Sequence, residues 1–473
     1  MNPRTVLSTA LVHLPEIHEP VEECAEVGLS LVLASADEGD RVAVTAFVKA
    51  QSLRVAAWMP RTRRLKVCGT ARDMSAAFGL HWVRSAEGHL LGAGEPSVPA
   101  ELGAHLHGVL GLDPRPKLRP HLKSKTYGEA AAPKEAGMAA PAFAQRYQFP
   151  EGDGKGQHVG LLQLGGALHE ADLAAYFDAL DLAVPSITVT PVSGGDPSPT
   201  KDSRWEMTLD VEVLGAVVPA AKITVFIAPN NSDGLLDLVE AALHGGADQP
   251  SVLSMSWGAA ESEWGELELQ LVSDALQGAS KLGVTVLVSS GDEGSTDGAK
   301  DGKQHVAFPA SSPWVLGVGG TQQAGGLEVV WNALPDKGAT GGGVSEFFAL
   351  PEWQRHAGVP RSANDGAIRR GVPDLAAHAA EEGGYRVFVD GVWRVLGGTS
   401  AAAPLLAGLI TRINAKRKKP LGYLNPLVYG VAHSALKPIT EGTNGAYKAT
   451  AGYSACTGLG VADGGALLKK LAD

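Results

Sequence analysis

From residue 155 onward the chain alternates between short, almost continuously apolar runs of strand length and amphipathic stretches of helix length. Residues 158–164, 187–190, 221–228 (AKITVFIA), 251–257 and 284–289 are the expected strands. Residues 170–180, 234–244 and 266–283 are the expected helices. Strands apolar on both faces need cover on both sides. The pattern therefore predicts a doubly wound, mostly parallel α/β sheet with helices on each face. Such sheets gather their chemistry beyond the C-terminal strand ends. Residues 289–293 (SSGDE) stand at such an end.

The first 120 residues read as a separate, small α/β unit. Strands are expected over 29–34, 53–58 and 65–69, and helices over 41–50, 72–78 and 101–109. Residues 121–142 (HLKSKTYGEAAAPKEAGMAAPA) hold small residues, lysine and proline, with little to bury. They read as a surface loop or as a linker open to proteolysis. A larger domain is expected over 143–473. The length of 473 residues allows two domains and at least one large core.

The net charge of −11 disfavours nucleic acid as a partner. Cys24, Cys68 and Cys456 share no CxxC spacing, which excludes a disulfide framework and a thiolate metal cluster. No apolar run approaches membrane-spanning length, and the first 20 residues lack a clear secretory leader pattern. No GxGxxG or Walker pattern lies between a strand and a helix, so no nucleotide cofactor is expected.

The stretch GGTSAAAP, ending at Pro404, carries the strongest chemical signal. A valine-rich run over 387–396 leads into it and an apolar stretch over 405–413 leads out. Strand, glycine turn, serine and helix would hold the Ser400 hydroxyl rigidly at a helix N-terminus, as a nucleophile requires. No GxSxG elbow of the esterase kind is present. No histidine partner is evident among the 14 either. His158 and His305 fall on strand or loop positions without an adjacent acid, His356 follows a proline-led surface stretch, and His378 is expected on a helix among alanines.

A serine nucleophile without histidine needs a carboxylate base. Glu206 and Asp210, in RWEMTLDVEVLGAV, would share one face if that segment is a helix. Their mutual repulsion would raise at least one pKa. The same segment alternates polar and apolar like a strand, and a solvated helix face is the plainer reading of the pair. Asp292 lies in SSGDEGSTDG, where acids also serve simply as turn formers. A carboxylate base operates below neutrality, so an acid optimum is expected.

Taken in order, SLRVAAW, KVCGTARDMSAAFG and VLGLDPRPKLRPH resemble the prodomain of the sedolisins, the serine-carboxyl peptidases, in their kumamolisin-like branch. LQLGGALHEADLAAYF, WEMTLDVEV, SVLSMSWG, SSGDEGSTDG, FPASSPWVLGVGGT, GATGGGVSEFF, GVPDLAAHA, GGTSAAAP and GAYKATAGYSACTGLG resemble its catalytic domain. The resemblance covers nearly the whole chain. It implies a subtilisin-like catalytic domain preceded by a ferredoxin-like prodomain that acts as an intramolecular inhibitor. It further implies a self-activating, secreted zymogen that hydrolyses extended polypeptides. By position, Ser400 is the nucleophile, Glu206 the base, Asp210 its modulator, and Asp292, with the Ser400 N–H, the oxyanion donor. Ser256, Trp257, Gly258, Gly341 and Gly342 would line the substrate cleft through backbone contacts.

Four positions depart from the family pattern. Pro438 and Ser454 replace the two aspartates expected to bind calcium, leaving the carbonyls of Ile439, Thr450 and Gly452 without carboxylate charge. No metal cofactor is therefore expected, and packing around Tyr447, Tyr453 and Leu459 is expected to hold that loop. Gln163 stands where a supporting glutamate is expected, and Ala307 where an aspartate favours a basic residue before the cleaved bond. The alternative reading is a catalytically weak peptide-binding or scaffold protein of the same fold.

Overall fold

The computed structural model describes residues 4–9, 12, 18–124, 136–196 and 198–472. The chain divides into two units. One holds residues 1–117 together with 229–240 and 262–275; the other holds 118–228, 241–261 and 276–473.

In the first unit the strands Glu26–Leu33, Arg54–Met59, Arg64–Thr70 and Leu106–Leu110 form one antiparallel sheet. Its order is 106–110, 26–33, 64–70, 54–59, and Ser8–Thr9 is added in parallel at one edge. The helices Glu38–Ala50 and Ala71–Phe78 belong to the same unit, and Val44, Val48, Phe78, Leu31, Leu33 and Val109 share its core. Thr70 starts the second helix by accepting the Asp73 N–H at 3.1 Å, and Gly79, at φ +73°, ends it. The expected helix over 101–109 is corrected. Only Ala100–Gly103 is helical, and Leu106–Leu110 is a strand against Glu26–Leu33. Gly108 accounts for part of the difference: a Cβ there would lie 2.5 Å from the Ser8 carbonyl oxygen, so a neighbouring backbone fills the space.

In the second unit the parallel sheet runs in the order Ser186–Pro191, Lys222–Ile227, His158–Gln163, Val252–Met255, Thr285–Ser289, Leu316–Ala324, Leu375–His378 and Val461–Ala462. Leu436–Lys437 closes one edge antiparallel, and Leu327–Val330 pairs with Leu316–Ala324. His378 thus lies on a strand, not on the expected helix. Alanines fit there because the adjoining strand is glycine-rich: a Cβ on Gly320 would meet the Ala379 Cβ at 2.6 Å. The 387–396 run is also corrected, being two strands, Tyr385–Val389 and Val392–Leu396. They are joined at Asp390-Gly391, both at positive φ (52° and 75°), the conformation a tight hairpin needs.

Two helices carry the site. Lys201–Val217 begins at Thr200, whose hydroxyl accepts the Ser203 N–H at 3.1 Å. From Trp205 onward all its side chains are buried, which explains the strand-like alternation in the sequence: this helix has no solvent face. Thr399–Asn414 is likewise buried almost throughout, and it packs against Lys201–Val217.

Candidate active site

Gly398 precedes the second helix at φ +107°, a conformation that excludes most side chains. Ser400 follows in the first turn, fully buried. Its Oγ donates to Glu206 Oε2 at 3.0 Å and lies 3.2 Å from the Ser256 carbonyl. Among the described residues no histidine ring bonds to this hydroxyl. Pro404, four residues on, has no N–H to offer the Ser400 carbonyl. That carbonyl faces Ser256 Oγ instead, at 3.3 Å.

Asp210 sits one turn beyond Glu206. Gln163 Nε2 donates to its Oδ2 at 2.6 Å, and Ser256 Oγ to its Oδ1 at 2.8 Å. Gln163 Oε1 in turn accepts from Trp257 Nε1 at 2.9 Å. The chain Ser400–Glu206 and Asp210–Gln163–Trp257 is wholly buried. Burial first, and the neighbouring Asp210 second, push the Glu206 carboxyl well above the ordinary glutamate range. Burial likewise lifts Asp210 to about 8. Glu206 Oε1 has no hydrogen-bond partner among the described residues.

Asp292 follows the strand Thr285–Ser289. Its Oδ1 accepts both the N–H and the hydroxyl of Thr399, each at 2.8 Å, while Oδ2 has no partner among the described residues. Burial raises its pKa to about 7 against the opposing pull of the Lys123 cation. A Cβ on Gly398 would stand 2.6 Å from Asp292 Oδ2. The glycine therefore keeps open the space that this oxygen faces.

A segment of the chain runs through that space. Arg119–Pro120 pairs antiparallel with Trp257–Gly258, and the His121 N–H donates to the Ser256 carbonyl at 3.0 Å. The Ser400 N–H donates to the His121 carbonyl oxygen at 3.1 Å. Lys123 and Gly397 exchange two backbone hydrogen bonds, both 3.0 Å. The His121 imidazole is buried with Nδ1 2.7 Å from Ser289 Oγ, and it packs where Gly258 has no Cβ. Burial depresses its pKa to about 3, with Arg119 and Lys123 adding to the effect.

Ser256, Trp257 and Gly258 thus contact an extended peptide through their backbones. Gly341 instead bonds to the Gly291 carbonyl and accepts from Ser290 Oγ, while the Gly342 carbonyl accepts from Asn444. Ala307 is buried in a short strand paired with Ala260. His305, expected without an acid, has Nε2 at 3.0 Å from Asp301 and Nδ1 at 3.5 Å from Glu346. His378 stacks on Phe143 and is buried away from Ser400's contacts. The hold of Thr399 on Asp292, the side-chain role of Ser256, and residues 119–123 as cleft occupants were not legible in the sequence. The threonine of GTS was the one visible hint.

The sequence profile of the Subtilase family matches residues 201–437. Kumamolisin of Bacillus sp. (strain MN-32) is 45% identical over 400 residues, covering 80% of this chain and 72% of its own. Sedolisin of Pseudomonas sp. (strain 101) is 30% identical over 445 residues, covering 86% and 74%. The solved structure of Pseudomonas sedolisin, a serine-carboxyl proteinase complexed with two molecules of pseudo-iodotyrostatin, superposes with a TM-score of 0.62 at 28% identity. That alignment covers 72% of this chain and 98% of the other. Fold and site thus define a subtilase, a serine-type peptidase on a mostly parallel α/β sheet. Within that class the chain belongs to the sedolisins, the serine-carboxyl endopeptidases of the kumamolisin-like kind.

Proposed function

We propose that the chain is an acid-acting zymogen in which Ser400, Glu206, Asp210 and Asp292 perform acyl transfer, and in which the His121–Leu122 bond is the first one cut. The observation that carries this reading is the His121 carbonyl on the Ser400 N–H at 3.1 Å, with Ser400 Oγ on Glu206 at 3.0 Å. Ser400 Oγ forms a bond to that carbonyl carbon as its proton passes to Glu206. The oxygen gains negative charge and is met by the Ser400 N–H and by protonated Asp292. When the C–N bond breaks, Glu206 returns the proton to the Leu122 amine. Water then repeats the sequence on the acyl-enzyme. A buried Glu206–Asp210 pair sheds its first proton long before its second, so one charge serves as base while the other proton steadies it.

Residues 1–120 are read as the prodomain. The β-α-β-β-α-β succession and the 4-1-3-2 order of its four main strands support a ferredoxin-like description. The proposed linker over 121–142 falls partly on residues 125–135, outside the described residues. Among the described residues no helix is long and apolar enough to cross a membrane. Export of the kind expected for such zymogens rests on the family alone.

Calcium does not fit the residues present. Ser454 Oγ is turned to Thr457, 3.1 Å from its hydroxyl and 3.2 Å from its N–H, and Thr450 Oγ1 donates to the Tyr453 carbonyl at 2.8 Å. Asp463 accepts the Ala466 N–H at 2.9 Å, at the start of the last helix. Buried Tyr447, Tyr453 and Leu459 support packing as what holds the loop. The test of the whole reading is incubation of the full chain across acidic pH with mass detection. Fragments ending at His121 and beginning at Leu122 are expected. A Ser400→Ala variant that still releases them would overturn it.

A further inference from the structure

We propose that Glu293 selects a lysine or arginine at the second residue past the cleaved bond. The inference rests on the reading of His121–Leu122 as the bond presented to Ser400, and it adds a specificity residue to that site. With His121 before the bond and Leu122 after it, Lys123 occupies the second position beyond.

Three features build the subsite. The Lys123 backbone is fixed by its two 3.0 Å hydrogen bonds with Gly397, so its side chain leaves the strand in one direction. The stem then passes Gly338, at φ +82°, where a Cβ would come within 2.7 Å of the lysine Cε. Only the missing side chain leaves that path open. The ammonium ends in an ion pair with the Glu293 carboxylate, and the lysine side chain is 12% exposed. Glu293 is tied in turn: its backbone bridges Ala339, and its carbonyl accepts from Thr296 Oγ1 at 3.2 Å. A long, unbranched cation fits this path, and an acidic residue would meet the Glu293 carboxylate. Like charges placed in such contact discriminate strongly between partners.

The test uses the self-processed enzyme in weakly acidic, low-salt buffer with quenched fluorescent peptides built on LRPHLKS. The lysine is kept or replaced by alanine or glutamate. The wild type is expected to favour lysine over alanine about fivefold in kcat/KM, the upper end for a partly exposed pair. It is expected to favour lysine over glutamate about tenfold or more. Glu293→Gln should flatten the series and Glu293→Lys should invert it. Equal rates for the three peptides on the wild type, or an unchanged order in both variants, would overturn the proposal.

A second measurement does not depend on hydrolysis. In full-length Ser400→Ala, amide exchange of residues 119–123 is expected to be slow. Adding Lys123→Glu should speed it several-fold, and adding Glu293→Lys to that should slow it again. Exchange that ignores both charges sinks the subsite even if peptides are cut. Charge-dependent exchange with no cleavage of any peptide retains the subsite and sinks the hydrolytic reading instead.

Discussion

Thr399 donates twice to a single oxygen of Asp292, from its N–H and from its hydroxyl, each at 2.8 Å, and leaves the other oxygen bare in the space beside Gly398. An acid held this way has one face anchored and one free to donate. It donates only while protonated, and burial keeps it so up to about pH 7. As pH climbs through that value the donor is lost and activity falls. Asp292→Asn supplies an N–H at every pH. Its kcat is expected to drop by up to about 10²-fold, because removing such a donor outright typically costs 10²–10³. The alkaline limb of its kcat/KM profile should move upward, as a pH–rate series would record.

Asp210 predicts a stability trend. Its folded pKa is raised to about 8, so between the ordinary aspartate range and that value the folded chain holds a proton the unfolded chain has released. Stability therefore falls as pH rises through this window and levels off above it. In a Ser400→Ala background, Asp210→Asn should relieve the fall, gaining about 2–4 kcal/mol relative to its parent between about pH 4 and pH 8. Denaturant melts at several pH values measure this. A gap that does not widen with pH refutes the trend.

Gln163 bridges Asp210 and Trp257, at 2.6 and 2.9 Å. Gln163→Leu leaves a buried carboxylate oxygen and a buried indole N–H unpaired, at about 1–3 kcal/mol each. Thermal melts should register the loss. Gln163→Glu, when protonated, restores both bonds and should recover the melting temperature while altering the pH profile.

Excess chelator is expected to leave melting temperature and peptide cleavage unchanged, since Pro438 and Ser454 provide no carboxylate. A drop reversed by added calcium would count against this.

Gly398→Ala places a Cβ 2.0 Å from the His121 carbonyl oxygen. Self-processing should slow by at least about 10²-fold, the scale of a lost oxyanion contact, although Ser400 and Glu206 remain. Intact mass against time is the readout.

The parallel sheet was legible because its strands are apolar on both faces, and Ser400 because glycine, threonine and serine abut a helix-forming run. Glu206 and Asp210 were drawn from the family resemblance, since their four-residue spacing alone read more plainly as a solvated helix face and a helix buried on every side could not be told from a strand by alternation. Other features depend on distant segments meeting. Thr399 matters only because Asp292, 107 residues earlier, faces it. Ser256 Oγ reaches Asp210 only because two strands and a helix converge. Local propensity misread 101–109 and His378 because sheet pairing overrode it. The Arg119–Pro120 strand is short, and nothing local to it announces that Trp257 and Gly258 are its partners.

The peptide carbonyl resting on Ser400 belongs to the same polymer as the serine. Its encounter frequency is therefore set by tethering and stays constant on dilution. If the His121–Leu122 bond is the first one cut, maturation is a unimolecular clock whose half-life is indifferent to how many molecules share the solution. Whatever starts that clock must act on protonation or on the strand itself, since neither partner has to be found.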